Sequence, residues 1–288
     1  MLHLILALLA VLTSSAAYST DTAAKQSQQG LTVFAADSMR EALDEVIKSY
    51  KAATMQTVHT KFGPSAALAK EIQSGAKVSL FISDHEDEIK LLGQHNKTKK
   101  GTRATMLSNT LAVVAAADSK WSLTSGAQLA EVPFRSLLVQ DPGATSIGKY
   151  AKDYLSGQST PQGSVWDRSS KRLKVTTDPL KALTTDKNAV AIVYGTEAKK
   201  SKSTKILLEI PATEFKTYYS QVIVENQNND PRILELYNFL QSKASKEVFA
   251  RHGFGTPRPS EGRSRPGPSR PERKSPKPGA GPGTAGKK

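Results

Sequence analysis

Ser38 and Ser65 each stand where a short apolar run gives way to an amphipathic one. Ser38 follows Leu31-Thr32-Val33-Phe34-Ala35-Ala36 and precedes Met39, Ala42, Leu43, Val46, Ile47 and Tyr50, spaced as one face of a helix. Ser65 follows the turn-forming Phe62-Gly63-Pro64. A helix start leaves backbone N–H groups unpaired and carries a partial positive charge, so it attracts anions. A serine there adds a neutral hydroxyl donor. Two such starts facing one crevice would hold a tetrahedral oxyanion without any full positive charge. The same serines also fit plain N-caps, and Ser38 with Glu41 makes the S-x-x-E capping box. One hydroxyl can accept from its helix and donate outward, so spacing leaves both roles open.

Other chemistries find little support. The chain has no cysteine, which removes disulfides, thiolate metal sites and a lipid-modified N-terminal Cys. His85 lies among Asp84, Glu86, Asp87 and Glu88, but its spacing to the other histidines fits no metal-ligand pattern. Those acids suit the positive end of a helix dipole instead. A serine nucleophile needs a general base, and no His or Lys falls in a recognisable partner motif. Gly281 to Lys288 (GPGTAGKK) matches a phosphate-binding loop only in part, ends in Lys and follows no strand. The residues alone thus lead as far as a possible anion site, with no catalytic residues, no metal site and no cofactor expected.

The elements that must position these serines alternate strand and helix. Strands are expected at Leu31–Ala36, Thr57–Phe62, Val78–Ile82, Met106–Ala116, Ser136–Val139, Ala189–Val193, Lys205–Leu208 and Tyr218–Val224. Helices are expected after Ser38 and Ser65, near Ile147–Leu155 and Leu180–Leu183, and from Pro231 to Leu240. This alternation argues for an α/β fold of largely parallel sheets with helices on both faces. A ligand on such a scaffold sits beyond the carboxyl ends of strands, where helices begin.

Charge and composition separate the two ends from the body. The chain carries 40 Lys and Arg against 26 Asp and Glu, a formal charge of +14. Nine of those cations, against only Glu261 and Glu272, fall between Thr256 and Lys288 together with eight prolines. Such a segment cannot bury enough apolar surface to offset its ordering entropy, so residues 256–288 are expected to form a disordered basic tail. With that excess set apart, the body is only mildly basic and no nucleic-acid partner is expected. The tail's charge would suit a polyanion or an anionic lipid surface, or serve only as a solvated extension. At the other end, Leu4 to Leu12 is an apolar run too short to span a bilayer, followed by Ser15-Ala16-Ala17. Residues 1–17 therefore read as a cleavable signal peptide and 18–30 as a linker, with a soluble, exported mature chain.

Several stretches resemble the periplasmic molybdate-binding proteins of ABC importers. They are Leu31 to Met39, Phe62 to Ile72 (FGPSAALAKEI), Leu80-Phe81-Ile82-Ser83 and Asp141 to Lys152 (DPGATSIGKYAK). Ala191 to Ala198 (AIVYGTEA), Val222 to Asn229 and Arg251-His252-Gly253-Phe254 complete the set, all in the family's order. The resemblance implies a two-lobed periplasmic-binding-protein fold with two crossing hinge strands. Lobe I would hold residues 31–105 plus 218–255, and lobe II residues 106–217, with the runs at Met106 and Tyr218 as the crossings. It implies a monomer that captures molybdate or tungstate in the periplasm and passes it to an inner-membrane ABC permease. By matched motif the anion would be held by the Ser38 and Ser65 hydroxyls, the Ile147 amide and the Tyr194 hydroxyl.

Two departures bear on which anion is bound. The family's remaining amide aligns at Pro179, which has no N–H, so a neighbour such as Leu180 would have to replace it. Asp37 beside the site would repel a dianion unless it points away or accepts a proton from a ligand such as phosphate. Strand alternation places Asp37 and Ser38 on opposite faces. Phosphate, a phosphonate or sulfate are the alternative ligands.

Overall fold

The computed structural model describes residues 30–225 and 230–257. The expected signal peptide, all but the last residue of the linker, and the tail from residue 258 lie outside the described residues.

Lobe I is built on β1 (Leu31–Ala36), α1 (Arg40–Thr54), β2 (Val58–Gly63), α2 (Ser65–Gln73), β3 (Leu80–Ser83), α3 (Glu86–Gln94) and β4 (Ala104–Ser108). Lobe II follows with β5 (Leu111–Ala116), β6 (Ser136–Val139), α4 (Ser146–Gly157), the short hairpin β7 (Ser159–Thr160) and β8 (Gly163–Ser164), α5 (Val165–Ser169), β9 (Leu173–Val175), α6 (Pro179–Thr185), β10 (Ala189–Tyr194), α7 (Gly195–Lys200) and β11 (Thr204–Ile210). The chain then returns to lobe I as β12 (Tyr218–Ile223), α8 (Pro231–Leu240) and α9 (Lys243–Arg251).

Each lobe has one five-stranded sheet. In lobe I the order is β2-β1-β3-β12-β4; β1 runs parallel to β2 and β3, and β12 is antiparallel to both neighbours. In lobe II the order is β11-β5-β10-β6-β9; β10 is parallel to β6 and antiparallel to β5. Period-two alternation then gives each sheet two buried faces. Val33 and Ala35 join the core under α1, α8 and α9, whereas Phe34 points to the core under α2 and α3. Val113 and Ala115 likewise separate from Ala112 and Val114 in lobe II. The α/β class and two-lobed form expected from the sequence are what the structure has, but the sheets are mixed rather than largely parallel, because the strands that follow each crossing, β5 and β12, run antiparallel to both neighbours.

The hinge differs in one detail. The apolar run from Met106 to Ala116 is not one strand, because β4 ends at Ser108 in the lobe I sheet and β5 begins at Leu111 in the lobe II sheet. The first crossing is thus at Asn109-Thr110, later than the run's start at Met106 suggests. Asn109 is a polar break in an apolar run, buried and bonded on every side. The second crossing leads from β11 into β12, which starts at Tyr218.

Candidate functional site

Every element that reaches the interlobe cleft does so at a strand-to-helix junction. The residues around the cleft's pocket are Asp37, Ser38, Gly63, Pro64, Asp84, Gln140, Thr145, Ser146, Ile147, Tyr194 and Glu197. The pocket is about 50 Å³ in volume, far below the several hundred Å³ usual for organic ligands. It is lined by three carboxylates and by no Lys, Arg or His.

Of the residues expected from sequence, Ser38, Ile147 and Tyr194 line this pocket. Ser65 touches it through Asp84, one of the lining residues. Pro179 and its neighbour Leu180 are not among the lining residues. Pro179 does open α6, with Asp178 as N-cap accepting from the Lys181 amide at 2.9 Å.

The serines are not the N-caps that spacing allowed. Asp37–Met39 form one turn of 3-10 helix before α1, and no side chain caps either start. Ser38 instead pairs with Tyr219, its Oγ 2.9 Å from the phenol oxygen. Glu41, the expected capping-box partner, faces Lys200 of lobe II at 2.7 Å. Ser65 is the first residue of α2 rather than the residue before it, so its hydroxyl turns outward to Asp84. Asp37 is exposed and paired with Arg40 at 2.7 Å.

The proton on Ser38 can be placed by following its neighbours. Asn109 Oδ1 accepts from the amides of Thr110 (2.9 Å) and Thr196 (3.3 Å), which fixes the orientation of its side-chain amide. Its Nδ2 therefore donates, to Thr196 Oγ1 at 3.0 Å and to the Tyr219 hydroxyl at 3.1 Å. Tyr219 is fully buried, so a phenol proton without an acceptor would be costly. It donates to Ser38 Oγ. Ser38, which lines the pocket, then keeps its own O–H for an acceptor other than Tyr219.

The opposite wall is organised around Asp84, a buried carboxylate just beyond β3. Asp84 Oδ1 accepts from Ser65 Oγ at 2.6 Å and Ser146 Oγ at 2.5 Å, and Oδ2 accepts from the Tyr194 hydroxyl at 2.8 Å. Tyr150 donates to the Asp84 backbone carbonyl at 2.8 Å. Ser146 is the first residue of α4 and Ile147 the second, so the Ile147 amide precedes the first intrahelical bond. Gly148 allows this placement, since a Cβ there would lie 2.5 Å from the Gln140 carbonyl oxygen and 2.6 Å from the Asp141 backbone.

Burial, reinforced by the Asp84 charge, holds the Tyr194 hydroxyl far above its usual range, so it remains a neutral donor. Glu197 is pushed up to about 7 by burial first and then by the charges of Asp84 and Asp178. His85 goes down, chiefly by burial; its Nδ1 accepts from the Asp87 amide as an ordinary helix cap. No group of three or more His, Asp or Glu among the described residues is arranged to hold a metal ion.

Sequence reasoning missed Asp84 and Ser146. Asp84 was read with its acidic neighbours as a dipole-compensating residue of α3, but it precedes that helix and faces the cleft. The available signal was its place at the carboxyl end of β3, the position that marks Ser38 after β1. Ser146 lies beside Ile147 at the start of α4, where a hydroxyl signal was present but unweighted.

Comparison with known proteins places this geometry among relatives. Residues 31–255 match the family described as bacterial extracellular solute-binding protein. The molybdate-binding protein ModA of Haemophilus influenzae is 31% identical over 233 residues, 78% of this chain and 89% of that protein. ModA of Escherichia coli is 31% identical over 239 residues, 78% and 88% of the two chains. Among solved structures, the substrate-binding domain of a putative molybdenum ABC transporter from Clostridium difficile superposes with a TM-score of 0.65 at 22% identity, covering 80% of this chain and 99% of that one.

Proposed function

The chain belongs to the bacterial extracellular solute-binding proteins, and from that membership we propose that it captures molybdate or tungstate and delivers it to an ABC importer. The observation that carries this reading is the set of neutral donors around one small pocket. Ser38, Ser146 and Tyr194 line it with hydroxyls from both lobes, Ser65 stands behind Asp84, and no Lys, Arg or His is among the lining residues. Neutral donors select by distance and number, which suits a compact tetrahedral dianion. The names of the two 31%-identical relatives point to the same ligand.

The chain acts by binding alone. Ser65, Ser146 and Tyr194 all converge on the single carboxylate of Asp84, a cluster of hydrogen-bond donors rather than one nucleophile paired with an oriented imidazole. Asp37, whose position raised phosphate as an alternative, is paired with Arg40 on the surface. Removal of residues 1–17 would release the mature protein as a periplasmic monomer with no cofactor and no nucleic-acid partner. Among the described residues no helix is long and apolar enough to cross a membrane.

A thermal-shift panel of molybdate, tungstate, sulfate and phosphate tests the reading. A ligand at 100 times its dissociation constant adds about 2.7 kcal/mol of stability, a readily measured rise in Tm. Molybdate and tungstate are expected to raise Tm together; silence from both would reject the proposal.

A further inference from the structure

We propose that Asp84 is a built-in anion that competes with the captured oxyanion, so that binding exchanges one acceptor for another. The inference rests on the reading of the cleft as an oxyanion site.

Asp84 belongs to lobe I, where its amide donates to Ser65 Oγ at 3.3 Å, yet two of its side-chain bonds and the bond to its backbone carbonyl come from lobe II. Ser146 Oγ donates to Oδ1 at 2.5 Å, Tyr194 to Oδ2 at 2.8 Å, and Tyr150 to the backbone carbonyl at 2.8 Å. Ser65 supplies a third side-chain bond from lobe I at 2.6 Å. The carboxylate is buried with no basic residue among those lining the pocket. Three hydroxyl donors are what compensate its burial.

A hydroxyl has a single proton. Ser65, Ser146 and Tyr194 can each serve Asp84 or a ligand oxygen, but not both. A dianion seated beside the Asp84 carboxyl group, with Glu197 also lining the pocket, would crowd oxygen against oxygen with no Lys, Arg or His among the lining residues to offset it. The ligand must therefore take over the hydroxyls and Asp84 must release them. A tetrahedral oxyanion can win this exchange because it has four oxygens where a carboxylate has two. It can also engage Ser38, whose proton is not committed to Asp84, and the helix-start amide of Ile147. A monoanionic carboxylate offers nothing that Asp84 does not already provide, so the exchange discriminates against such ligands. Because Asp84 bridges the lobes, it also holds the cleft closed without help from a ligand.

The test is calorimetric titration of sodium molybdate into the full chain and into its Asp84→Asn and Asp84→Ala variants, with circular dichroism to verify folding. A charge-assisted hydrogen bond contributes about 1.5–3 kcal/mol, so removing the competitor is expected to tighten binding about ten- to a hundredfold. Folded variants that bind equally or more weakly overturn the proposal. Small-angle scattering on the unmodified chain gives a second measurement should the variants not fold. The self-fastened cleft predicts a radius of gyration that hardly changes when molybdate is added; a clear contraction overturns it. If the unmodified chain ignores molybdate while a variant binds it, the exchange is upheld in its strongest form. If neither binds, the oxyanion reading fails on its own, and scattering still decides: Asp84→Asn should open the cleft relative to the unmodified chain, and an unchanged profile overturns the latch.

Discussion

The two walls of the pocket use the same residue type at the same kind of junction and leave it in opposite states. On one wall, Ser38 accepts a hydrogen bond from Tyr219, itself fixed by Asn109, and keeps its own O–H to donate. On the other, Ser65 and Ser146 already donate their hydrogen bonds to Asp84. What faces the hydroxyl decides its role: a phenol that donates makes the serine a ready donor, whereas a carboxylate makes it a committed one. The walls also differ in what they join. Asn109 and Tyr219 lie on the two crossings, which connect the lobes covalently, whereas Asp84 connects them only through hydrogen bonds.

This contrast is broken most sharply by alanine at the two serines. Ser38→Ala removes a donor that only the ligand uses, and should weaken molybdate binding about ten- to a hundredfold. Ser65→Ala removes a donor from both the ligand and its internal competitor, so its loss should be much smaller. Equal losses by calorimetry would erase the distinction between the walls.

Tyr219→Phe is the next largest change. It deprives Ser38 of its donor and leaves Asn109 Nδ2 with Thr196 alone. A lost neutral hydrogen bond costs about 0.5–1.5 kcal/mol, so affinity should fall a few-fold and the chain should be measurably less stable to urea.

Glu197 adds a pH dependence to the pocket. Its folded pKa, pushed up to about 7, exceeds the ordinary 4.5 because burial disfavours its charged form. The folded state therefore binds more protons between those values. This contribution to stability is fully present below about pH 4.5 and is lost as pH rises through about 7. Glu197→Gln should flatten that decline in urea titrations, and should also remove a fall in molybdate affinity above pH 7.

The smallest effect is expected at the rim. Lys149 pairs with Asp87 and Lys200 with Glu41 across the lobes, but all four side chains are well exposed. Such pairs contribute roughly 0–1 kcal/mol, so Lys149→Ala should leave both Tm and affinity nearly unchanged. A large loss would move the closing energy from Asp84 to the rim.

Much of this was legible in the sequence because it rests on periodicity. Ser136–Val139 and Pro231–Leu240 fall where hydrophobic spacing put them, and the α/β class follows from the alternation of elements, whereas the two lobes and the places of Ile147 and Tyr194 came from the family resemblance. The expected residues Ser38, Ile147 and Tyr194 do gather around one pocket. What spacing could not show was direction. The capping box at Ser38 and Glu41 obeys its pattern but is not formed, since Tyr219 and Lys200, both distant in sequence, hold those side chains instead. Asp84 was hidden for the same reason: among four acids in five residues, only tertiary contacts distinguish the one that turns inward. The hinge at Asn109 had a signal, the polar Ser108-Asn109-Thr110 between two apolar stretches, which separates β4 from β5.

The central claim is capture by donated hydrogen bonds, with no cation and no side chain coordinating the metal. Molybdenum X-ray absorption on the complex in solution tests it most directly. The account predicts the spectrum of free tetrahedral molybdate, with oxygen neighbours at unchanged distances. An expanded coordination shell, with carboxylate oxygens bonded to molybdenum, would contradict it.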